Sequence, residues 1–477
     1  MALGDPRFRS DPHGWKKYMM SKEVAKYSEI RIKRLYVTDL FATFTYDFSL
    51  KVDDKITILT APNGYGKSTL LRMTKYLIQR QYDSLSSIPF REFAVTFIDG
   101  RTLRAVRKAH SPIADRIDVV ELLDSLEETI IEYNPHSSTN SKNEVQLERR
   151  AFKLLGQHPS LEWVGRNEIY DRISRESLTY HEFLSRYGRS DESDSDSDLS
   201  DLDRINYGLP ILYISADRLR KHQGRAGRHE ESDLSPVDRI SRMVSNQVQG
   251  SMSAYAQESR RIDSNFTQRI LTELMDVSQD HVVPSSEDLR ILAKTEQHIE
   301  SSEQRFRDLG LFSTSTRKKP MLNISSVRTS SALKVLRMHF VDMEHKFMAL
   351  EDIARRLNVF LNLLSELYDH KVIKFSLSKG LYVETSQKDD LDLNVLSSGE
   401  QHLLVLYGNL LFGEGAPLVM LDEPEISLHL EWQMKFLRHL GEIVNVRSLE
   451  IILATHSPTL IDRRDDLIVE LKDIVAL

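Results

Sequence analysis

Residues 61–69 read Ala-Pro-Asn-Gly-Tyr-Gly-Lys-Ser-Thr, and a short apolar run at residues 56–59 comes directly before them. Such a run is typical of a buried strand. Residues 69–81 contain no Gly or Pro and keep regularly spaced apolar side chains, which predicts a helix after the loop. A glycine-rich loop between a strand and a helix is the setting in which backbone N–H groups surround a phosphate. The stretch therefore predicts a phosphate-binding loop, with Ala61 where the strict pattern has glycine.

Individual residues of this loop have predicted roles toward ATP and Mg²⁺. Gly64 and Gly66 let the backbone wrap the phosphates, and the helix start adds its positive end. Lys67 is expected to reach the β and γ phosphates, and the Ser68 hydroxyl is expected to bind Mg²⁺. The nucleotide contacts expected from the loop are those of Asn63, Gly64, Gly66, Lys67, Ser68 and Thr69.

A second apolar run, residues 418–421, ends in Asp422-Glu423. A carboxylate at the end of a strand beside a phosphate loop can hold Mg²⁺, and a second one can polarise the attacking water. We assign Asp422 to the metal and Glu423 to the general base. Paired acids after a strand are also common surface features, so this segment decides nothing when taken alone.

Two further segments are ambiguous when each is taken separately. Ser397, Ser398 and Gly399 precede a helix-like stretch at 400–412, where hydroxyl and N–H groups either bind an anion or simply cap the helix. His456 follows an apolar strand at 451–454, and a histidine in that place is commonly a neutral surface residue. The occurrence of all four segments in this order favours a nucleotide site.

Together the four segments resemble the ATP site of ABC-type ATPases. Residues 396–400, Leu-Ser-Ser-Gly-Glu, are similar to the signature Leu-Ser-Gly-Gly-Gln, with Ser398 and Glu400 as departures. Glutamate in the last place resembles the SMC, RecF and OLD branches. Residues 422–433 are similar to OLD-like and RecF-like ATPases, including those of phage-defence systems, although Leu430 stands where those usually have proline. The organisation also resembles PtuA-like ATPase subunits of Septu-type defence. The resemblance covers both ends of the chain and not its middle.

The resemblance implies a homodimer or higher oligomer with ATP sandwiched between copies. Ser397, Ser398 and Gly399 of one copy would face the γ-phosphate held by Lys67 of another, and His456 would contact that phosphate. Catalysis would rest on Glu423, His456 and Lys67. A glutamine that contacts Mg²⁺ is expected in the family and is not placed in this sequence.

The resemblance also bears on partners. The chain ends 21 residues after His456 and has no His-Asn-His pattern, so we expect no nuclease activity of its own. A separate nuclease or other effector in anti-phage defence is the preferred hypothesis. A RecF-like DNA-repair ATPase, a transporter nucleotide-binding subunit and an inactive ATP-binding scaffold are the alternatives.

The spacing of the motifs predicts the domain organisation, because 330 residues separate Lys67 from Ser397. We expect an α/β fold of the ABC-type ATPase head, a mixed sheet with a phosphate loop, formed by residues 25–115 and 371–477. A mainly helical insertion, residues 116–370, would interrupt it and serve as its mechanical output. Transporters keep the two motifs much closer, which weighs against that alternative.

Three features of the insertion each admit two interpretations. Residues 331–369 predict a long helix whose apolar residues alternate at spacings of three and four, either as a coiled-coil arm or as a helix buried in a bundle. The acidic run within 189–204 predicts a solvated flexible loop. The alternative interpretation is that its Asp-x-Asp repeats bind a metal. Arginines and a lysine within 218–228 predict either a phosphate-binding cluster for DNA or a solvated loop.

Composition sets wider limits. The 477 residues include no cysteine, carry a formal net charge of −7 and are 40% hydrophobic. This excludes disulfides and argues against a uniformly basic nucleic-acid coat. No apolar run approaches the roughly 20 residues of a membrane span, and the start lacks the apolar core of a signal peptide. We therefore expect a cytoplasmic protein that does not bind membranes.

Overall fold

The structure is a computed structural model. It describes residues 31–107, 210–215, 235–275, 284–312, 327, 329–385, 387, 390–413, 415, 417–426, 428–461 and 464–472, with five backbone strands between 117 and 178. Close contacts divide the chain into two compact units, the first being Met1–Ile214, Gly415–Glu423 and Leu449–Leu477, and the second Ser215–Glu414 and Pro424–Ser448. None of the helices in the described part of the chain combines the length and the apolar character needed to cross a membrane.

The elements are numbered along the chain. The strands are β1 Ile32–Leu40, β2 Phe44–Ser49, β3 Ile56–Thr60, β4 Glu92–Phe97, β5 Thr102–Arg107, β6 Ile117–Leu122, β7 Glu128–Tyr133, β8 Leu161–Gly165, β9 Glu168–Asp171, β10 Ser177–Leu178, β11 Ile211–Ile214, β12 Lys371–Ser376, β13 Gly380–Thr385, β14 Asp390–Leu391, β15 Leu418–Asp422, β16 Glu450–Thr455 and β17 Ile468–Glu470. The α-helices are α1 Lys67–Ile78, α2 Tyr82–Ser86, α3 Pro236–Met275, α4 Ser286–Asp308, α5 Ser330–Ser365, α6 Ser398–Phe412, α7 Leu430–Arg447 and α8 Pro458–Ile461.

The first unit contains a five-stranded parallel sheet in the order β11-β15-β16-β3-β17. Strands β15 and β16 are buried along their whole length, as the near-continuous apolar runs of a parallel sheet predict. Asp422 lies opposite Ala454 in the register, and Thr455 lies opposite Thr60. Because the strands are parallel, the ends of β3, β11, β15 and β16 meet at one edge of the sheet.

This unit also contains an antiparallel sheet in the order β2-β1-β4-β5-β6-β7. Helix α1 contacts strands of both sheets, and its buried residues join a core shared by the two. The bend between β1 and β2 is irregular: the register shifts between Val37 and Leu40, and Phe41 and Ala42 both have φ of 55°. This left-handed bend exposes the Phe41 side chain, which is 41% accessible.

The second unit is mainly helical, with a small three-stranded sheet β12-β13-β14. Helix α5 contacts α3, α4, α6, α7 and β12. Strands β12 and β13 form an antiparallel hairpin. The predicted mixed α/β class with a helical region is confirmed.

The long helix expected at 331–369 is observed as α5. Its buried face is wide: Ile353, Phe360 and Leu363 are at most 1% exposed, in addition to the residues that alternate at spacings of three and four. The Phe360 ring also meets Phe412 of α6 edge-on, with centroids 5.4 Å apart. The interpretation as a helix packed within a bundle therefore describes α5 better than a narrow coiled-coil seam.

Within residues 116–370, which were predicted to be mainly helical, the structure describes five strands between residues 117 and 178. Strands β6 and β7 extend the antiparallel sheet, and β8, β9 and β10 form a separate three-stranded sheet. The reason is the strand-favouring content of these runs, such as Ile-Asp-Val-Val-Glu-Leu in β6. The acidic run within 189–204 lies outside the described residues, and the domain division at 116 and 370 remains a prediction.

A buried acid begins strand β16. Glu450 is 6% exposed, and its backbone N–H donates to the Pro417 carbonyl at 2.8 Å. Burial raises the pKa of this carboxyl from 4.5 to about 7, while the nearby Arg31 and the backbone of Ile32 oppose the rise. The charged form of Glu450 is therefore unfavourable in the folded protein.

We expect Glu450→Gln to stabilise the protein at pH 8 and to leave its stability unchanged near pH 4.5. The folded carboxyl keeps a proton that the unfolded chain releases above pH 4.5, so wild-type stability falls as pH rises from about 4.5 to about 7. The pKa shift corresponds to a gain of up to about 3 kcal/mol for the variant at pH 8. Urea unfolding of the variant and the wild type at both pH values measures this difference in the free energy of unfolding. Glu470→Gln is the control, because Glu470 of β17 is exposed. A stability difference between Glu450→Gln and the wild type that does not change with pH would contradict the account.

Candidate nucleotide site

The phosphate loop has the backbone that its glycines predict. Gly64 has φ of +88° and Gly66 has φ of +81°, in the left-handed region that side chains disfavour. Gly66 is the N-cap of α1, and a Cβ added there would lie 3.0 Å from Leu40 Cδ2. The first N–H groups of α1 consequently point into the loop, where a helix binds anions.

Aromatic residues of β2 anchor the loop. The Tyr46 hydroxyl donates to the Tyr65 carbonyl at 3.0 Å, and Tyr46 is fully buried. The rings of Phe44 and Tyr65 lie 5.1 Å apart. These contacts fix the loop against the antiparallel sheet before any ligand binds.

A cleft of about 250 Å³ opens at the loop. Its lining includes the predicted loop residues and the predicted base Glu423, which directly follows β15. Phe41, from the bend between β1 and β2, also lines the cleft. The lining residues are Phe41, Asn63, Gly64, Gly66, Lys67, Ser68, Thr69 and Glu423.

The strand ends bring Ser68 and Asp422 together. The Ser68 hydroxyl donates to Asp422 Oδ1 at 2.7 Å, although the two residues are 354 positions apart in the chain. Lys67 is 5% exposed, and its Nζ donates to the carbonyls of Ala61 at 2.7 Å and Pro62 at 3.3 Å. The loop thus contributes a cation and a hydroxyl, and the end of β15 contributes a carboxylate that accepts from this hydroxyl.

Glu423 and His456 lie at the same edge of the sheet. Glu423 Oε1 is 3.6 Å from His456 Nδ1, an ion-pair distance rather than a hydrogen bond. The Glu423 N–H donates to the Ala454 carbonyl at 2.9 Å, and its φ is +45°. A glutamate in the left-handed region is strained, and such strain is concentrated at functional positions.

A residue outside the predicted set also reaches Asp422. The Tyr213 hydroxyl of β11 donates to Asp422 Oδ2 at 2.8 Å. Burial and the Asp422 carboxylate raise the pKa of Tyr213, so the hydroxyl stays protonated at neutral pH. Both oxygens of the carboxylate therefore accept a hydrogen bond from a hydroxyl.

The donor set fits Mg²⁺ bound with a nucleotide. Mg²⁺ in such sites takes one or two protein oxygens, phosphate oxygens and water. Ser68 and Asp422 supply the protein oxygens, and the left-handed glycines leave room for phosphates. Among the described residues, no three His, Cys, Asp or Glu side chains cluster as a site built wholly from protein ligands would require.

Ser397, Ser398 and Gly399 lie in the second unit, at the start of α6. Ser397 is the N-cap: its hydroxyl accepts from the Glu400 N–H at 3.4 Å, and Glu400 Oε2 accepts from the Ser397 N–H at 2.6 Å. Ser397 and Ser398 are exposed. The start of α6 therefore exposes the side chains of both serines.

Glu400, the departure at the last signature position, is buried and supports this helix start. Lys371 Nζ of β12 donates to Glu400 Oε2 at 2.9 Å. Although burial acts to raise it, the hydrogen bonds from Lys371 and Ser397 hold the pKa of Glu400 below its usual value. The Tyr368 hydroxyl donates to the Glu400 carbonyl. Glu400 thus shapes the loop and does not itself face a ligand.

A comparison with protein families shows to which family the chain belongs. A family model described as the AAA ATPase domain matches residues 41–461, which is most of the chain. The chain belongs to the AAA ATPase domain family. The match includes the phosphate loop, the Asp422-Glu423 pair, the residues 397–399 and His456, so these segments are parts of one ATPase domain.

Curated relatives match a shorter stretch. Two proteins named probable iron chelatin transport ATP-binding protein, from Helicobacter pylori strains ATCC 700392 / 26695 and J99 / ATCC 700824, are each 33% identical over 84 residues. The match spans 18% of this chain and 32% of each relative.

Among solved structures, SMC head domains are similar along most of the chain. The match to the SMC head domain with an extended coiled coil from Pyrococcus furiosus covers 93% of this chain and 94% of that chain, with a TM-score of 0.33 and 12% identity. The match to the SMC head domain from Thermotoga maritima covers 91% of this chain and 92% of that chain, with a TM-score of 0.31 and 11% identity.

Sequence reasoning missed Tyr213 and Phe41 as residues of the site. Tyr213 lies in a short apolar run, residues 211–214, but its neighbour in the sheet is visible only in the fold. Phe41 is a large aromatic residue, and nothing in the sequence around it points to the cleft. The basic cluster within 218–228 lies outside the described residues.

We expect Gly66→Ala to weaken binding of a fluorescent ATP analogue at least tenfold. A side chain at φ of +81° is strained, and its Cβ would meet Leu40, so the loop must shift away from its phosphate-binding form. Gly441→Ala in α7 is the control, because no atom of the described residues lies within 4 Å of the place its Cβ would take, and alanine favours the helix. Equal affinities for the two variants would contradict the assignment of the loop.

Proposed function

We propose that the chain binds ATP with Mg²⁺ in the cleft at the edge of the parallel sheet and hydrolyses it to ADP and phosphate. The observation that carries the proposal is the hydrogen bond between Ser68 and Asp422, which joins the phosphate loop to the end of β15, directly before Glu423. Membership of the AAA ATPase domain family supports it.

Each residue of the site has a proposed task. The N–H groups at the start of α1 and the Lys67 ammonium neutralise phosphate charge. Ser68 and Asp422 would hold Mg²⁺, which neutralises charge on the phosphate oxygens when bound. Glu423 accepts a proton from the attacking water, and His456, 3.6 Å from Glu423, stabilises the γ-phosphate. The left-handed backbone of Glu423 directs its carboxylate to the cleft, whose lining includes it.

We infer further that a second copy of the chain completes each site. The exposed start of α6, Ser397 to Gly399, offers hydroxyl and N–H groups to an anion from outside its own unit. The second unit also exposes large apolar side chains, since Leu430 and Met434, one turn apart on α7, are 59% and 54% accessible. Exposed apolar groups of this kind favour a protein interface. A homodimer or higher oligomer would sandwich ATP between copies.

The output of the ATPase is proposed to be regulation of a separate effector, most simply a nuclease, in cytoplasmic anti-phage defence. The support is the resemblance of residues 396–400 and 422–433 to OLD-like and RecF-like ATPases. Direct DNA binding without a toxic effector, as in a RecF-like repair ATPase, is the alternative within this class. Purification together with the products of neighbouring genes, with and without ATP, separates the two.

A nucleotide-binding subunit of a transporter is a second candidate. It is favoured by the 84-residue likeness to probable iron chelatin transport ATP-binding proteins. The 330 residues between Lys67 and Ser397 oppose it, because transporter subunits keep these motifs much closer. Co-purification with a membrane permease would support this candidate over the preferred one.

We expect Glu423→Gln to lower ATP turnover by roughly 100-fold or more while leaving ATP binding intact, because it removes the general base and keeps the shape of the side chain. Phosphate release measures the turnover, and a fluorescent ATP analogue measures the binding. Light scattering should show that the variant accumulates as an ATP-bound oligomer.

Glu431→Gln on α7 is the matched control, since this glutamate is exposed and forms its ion pair with Lys435 of the same helix. Its turnover should equal that of the wild type. Equal, negligible turnover in the wild type and in Glu423→Gln would instead identify an ATP-binding scaffold.

A further inference from the structure

The Asp422 carboxylate is held at both of its oxygens. Ser68 Oγ donates to Oδ1 at 2.7 Å, and the Tyr213 hydroxyl donates to Oδ2 at 2.8 Å. Asp422 is only 9% exposed, so water competes little for either oxygen. The bond from Ser68 is explained by the phosphate loop. The bond from Tyr213 is not explained by any role assigned so far.

The elements that place Ser68 and Asp422 also place Tyr213. Strand β11 pairs in parallel with β15, and Tyr213 lies opposite Met420 in that register. On the other side, α1 contributes Lys75, whose Nζ lies 5.9 Å from the centre of the Tyr213 ring, and the Nε2 of Gln79, which follows α1, donates to the Ile211 carbonyl at 3.5 Å. The hydroxyl of Tyr213 is therefore set by the same helix that begins with Lys67 and Ser68.

We propose that Tyr213 is a positioning residue that presets Asp422 for Mg²⁺ of the bound nucleotide. With Oδ2 held by Tyr213, the carboxylate does not rotate freely about its Cβ–Cγ bond, and Oδ1 stays directed at Ser68. The two side chains expected to hold the metal then keep one fixed geometry. This inference rests on the proposed function, in which Asp422 binds the metal.

Removing the hydroxyl has a definite consequence. Oδ2 becomes a buried carboxylate oxygen that has lost its donor, so the carboxylate turns toward whatever donor or water it can reach. Outer partners that orient a metal ligand typically contribute about 10- to 100-fold to metal affinity. We expect a loss of roughly that size for Tyr213→Phe, a change that keeps the ring and its packing.

A purely structural role for Tyr213 leads to a different result. If the hydroxyl served only to satisfy a buried carboxylate, its loss would lower the thermal unfolding temperature and weaken nucleotide binding to the same extent with and without metal. A positioning role weakens the metal-dependent part alone. The two roles are therefore separated by measuring metal binding directly and nucleotide binding in the absence of metal.

The experiment measures Mn²⁺ binding by electron paramagnetic resonance, using the full chain saturated with a non-hydrolysable ATP analogue. Tyr213→Phe should bind Mn²⁺ roughly 10- to 100-fold more weakly than the wild type, while its affinity for the analogue in EDTA stays unchanged. Tyr76→Phe is the matched control, because Tyr76 lies on α1 and packs against the same core as Tyr213. It should behave as the wild type in both measurements.

A double variant tests whether Tyr213 acts through Asp422. Adding Tyr213→Phe to Asp422→Asn should cause no further loss of Mn²⁺ affinity, because the group that Tyr213 orients is already gone. Wild-type Mn²⁺ affinity in Tyr213→Phe, or an equal loss of analogue affinity in EDTA, would overturn this inference and leave the proposed function standing. Absence of Mn²⁺ binding by the wild-type complex would overturn both.

Discussion

Parallel pairing of β3, β11, β15 and β16 is the constraint on which the candidate site depends. Strands paired in this way end at the same edge, so the phosphate loop, Tyr213, Asp422-Glu423 and His456 meet there. Strands β15 and β16 are buried over their whole length, so both of their faces pack within the protein. Groups hundreds of residues apart in sequence thus reach hydrogen-bond distance through backbone pairing.

The second unit carries the remaining predicted nucleotide contacts on an equally well-defined local structure. A reciprocal capping box between Ser397 and Glu400 begins α6, and Lys371 of β12 donates to the same Glu400 oxygen as the Ser397 N–H. Glutamate in place of the usual glutamine is thereby explained as a helix-capping residue with a cationic partner. Since α5 contacts both α6 and β12, a displacement of this long helix would act directly on the elements that carry the signature residues.

Local features were predictable from the sequence and non-local ones were not. The strand–loop–helix around Gly64 and Gly66, the strand before Asp422 and the long helix α5 depend on residues close in sequence, and each is observed within a few residues of its expected bounds. Two relationships could not be predicted. Tyr213 meets Asp422 across 209 residues because β11 and β15 are neighbours in the sheet. The pairing of the short strands β6–β10 is the second, because strand-favouring residues do not identify the strand with which each will pair.

Isothermal titration calorimetry of the full chain with a non-hydrolysable ATP analogue, with and without Mg²⁺, tests the central claim most directly. We expect one nucleotide bound per chain, with an affinity that rises when Mg²⁺ is present, because Ser68 and Asp422 add metal contacts to those of the loop. A chain that binds no nucleotide, or binds it equally well with and without Mg²⁺ and with Asp422 replaced by Asn, would contradict the proposed site.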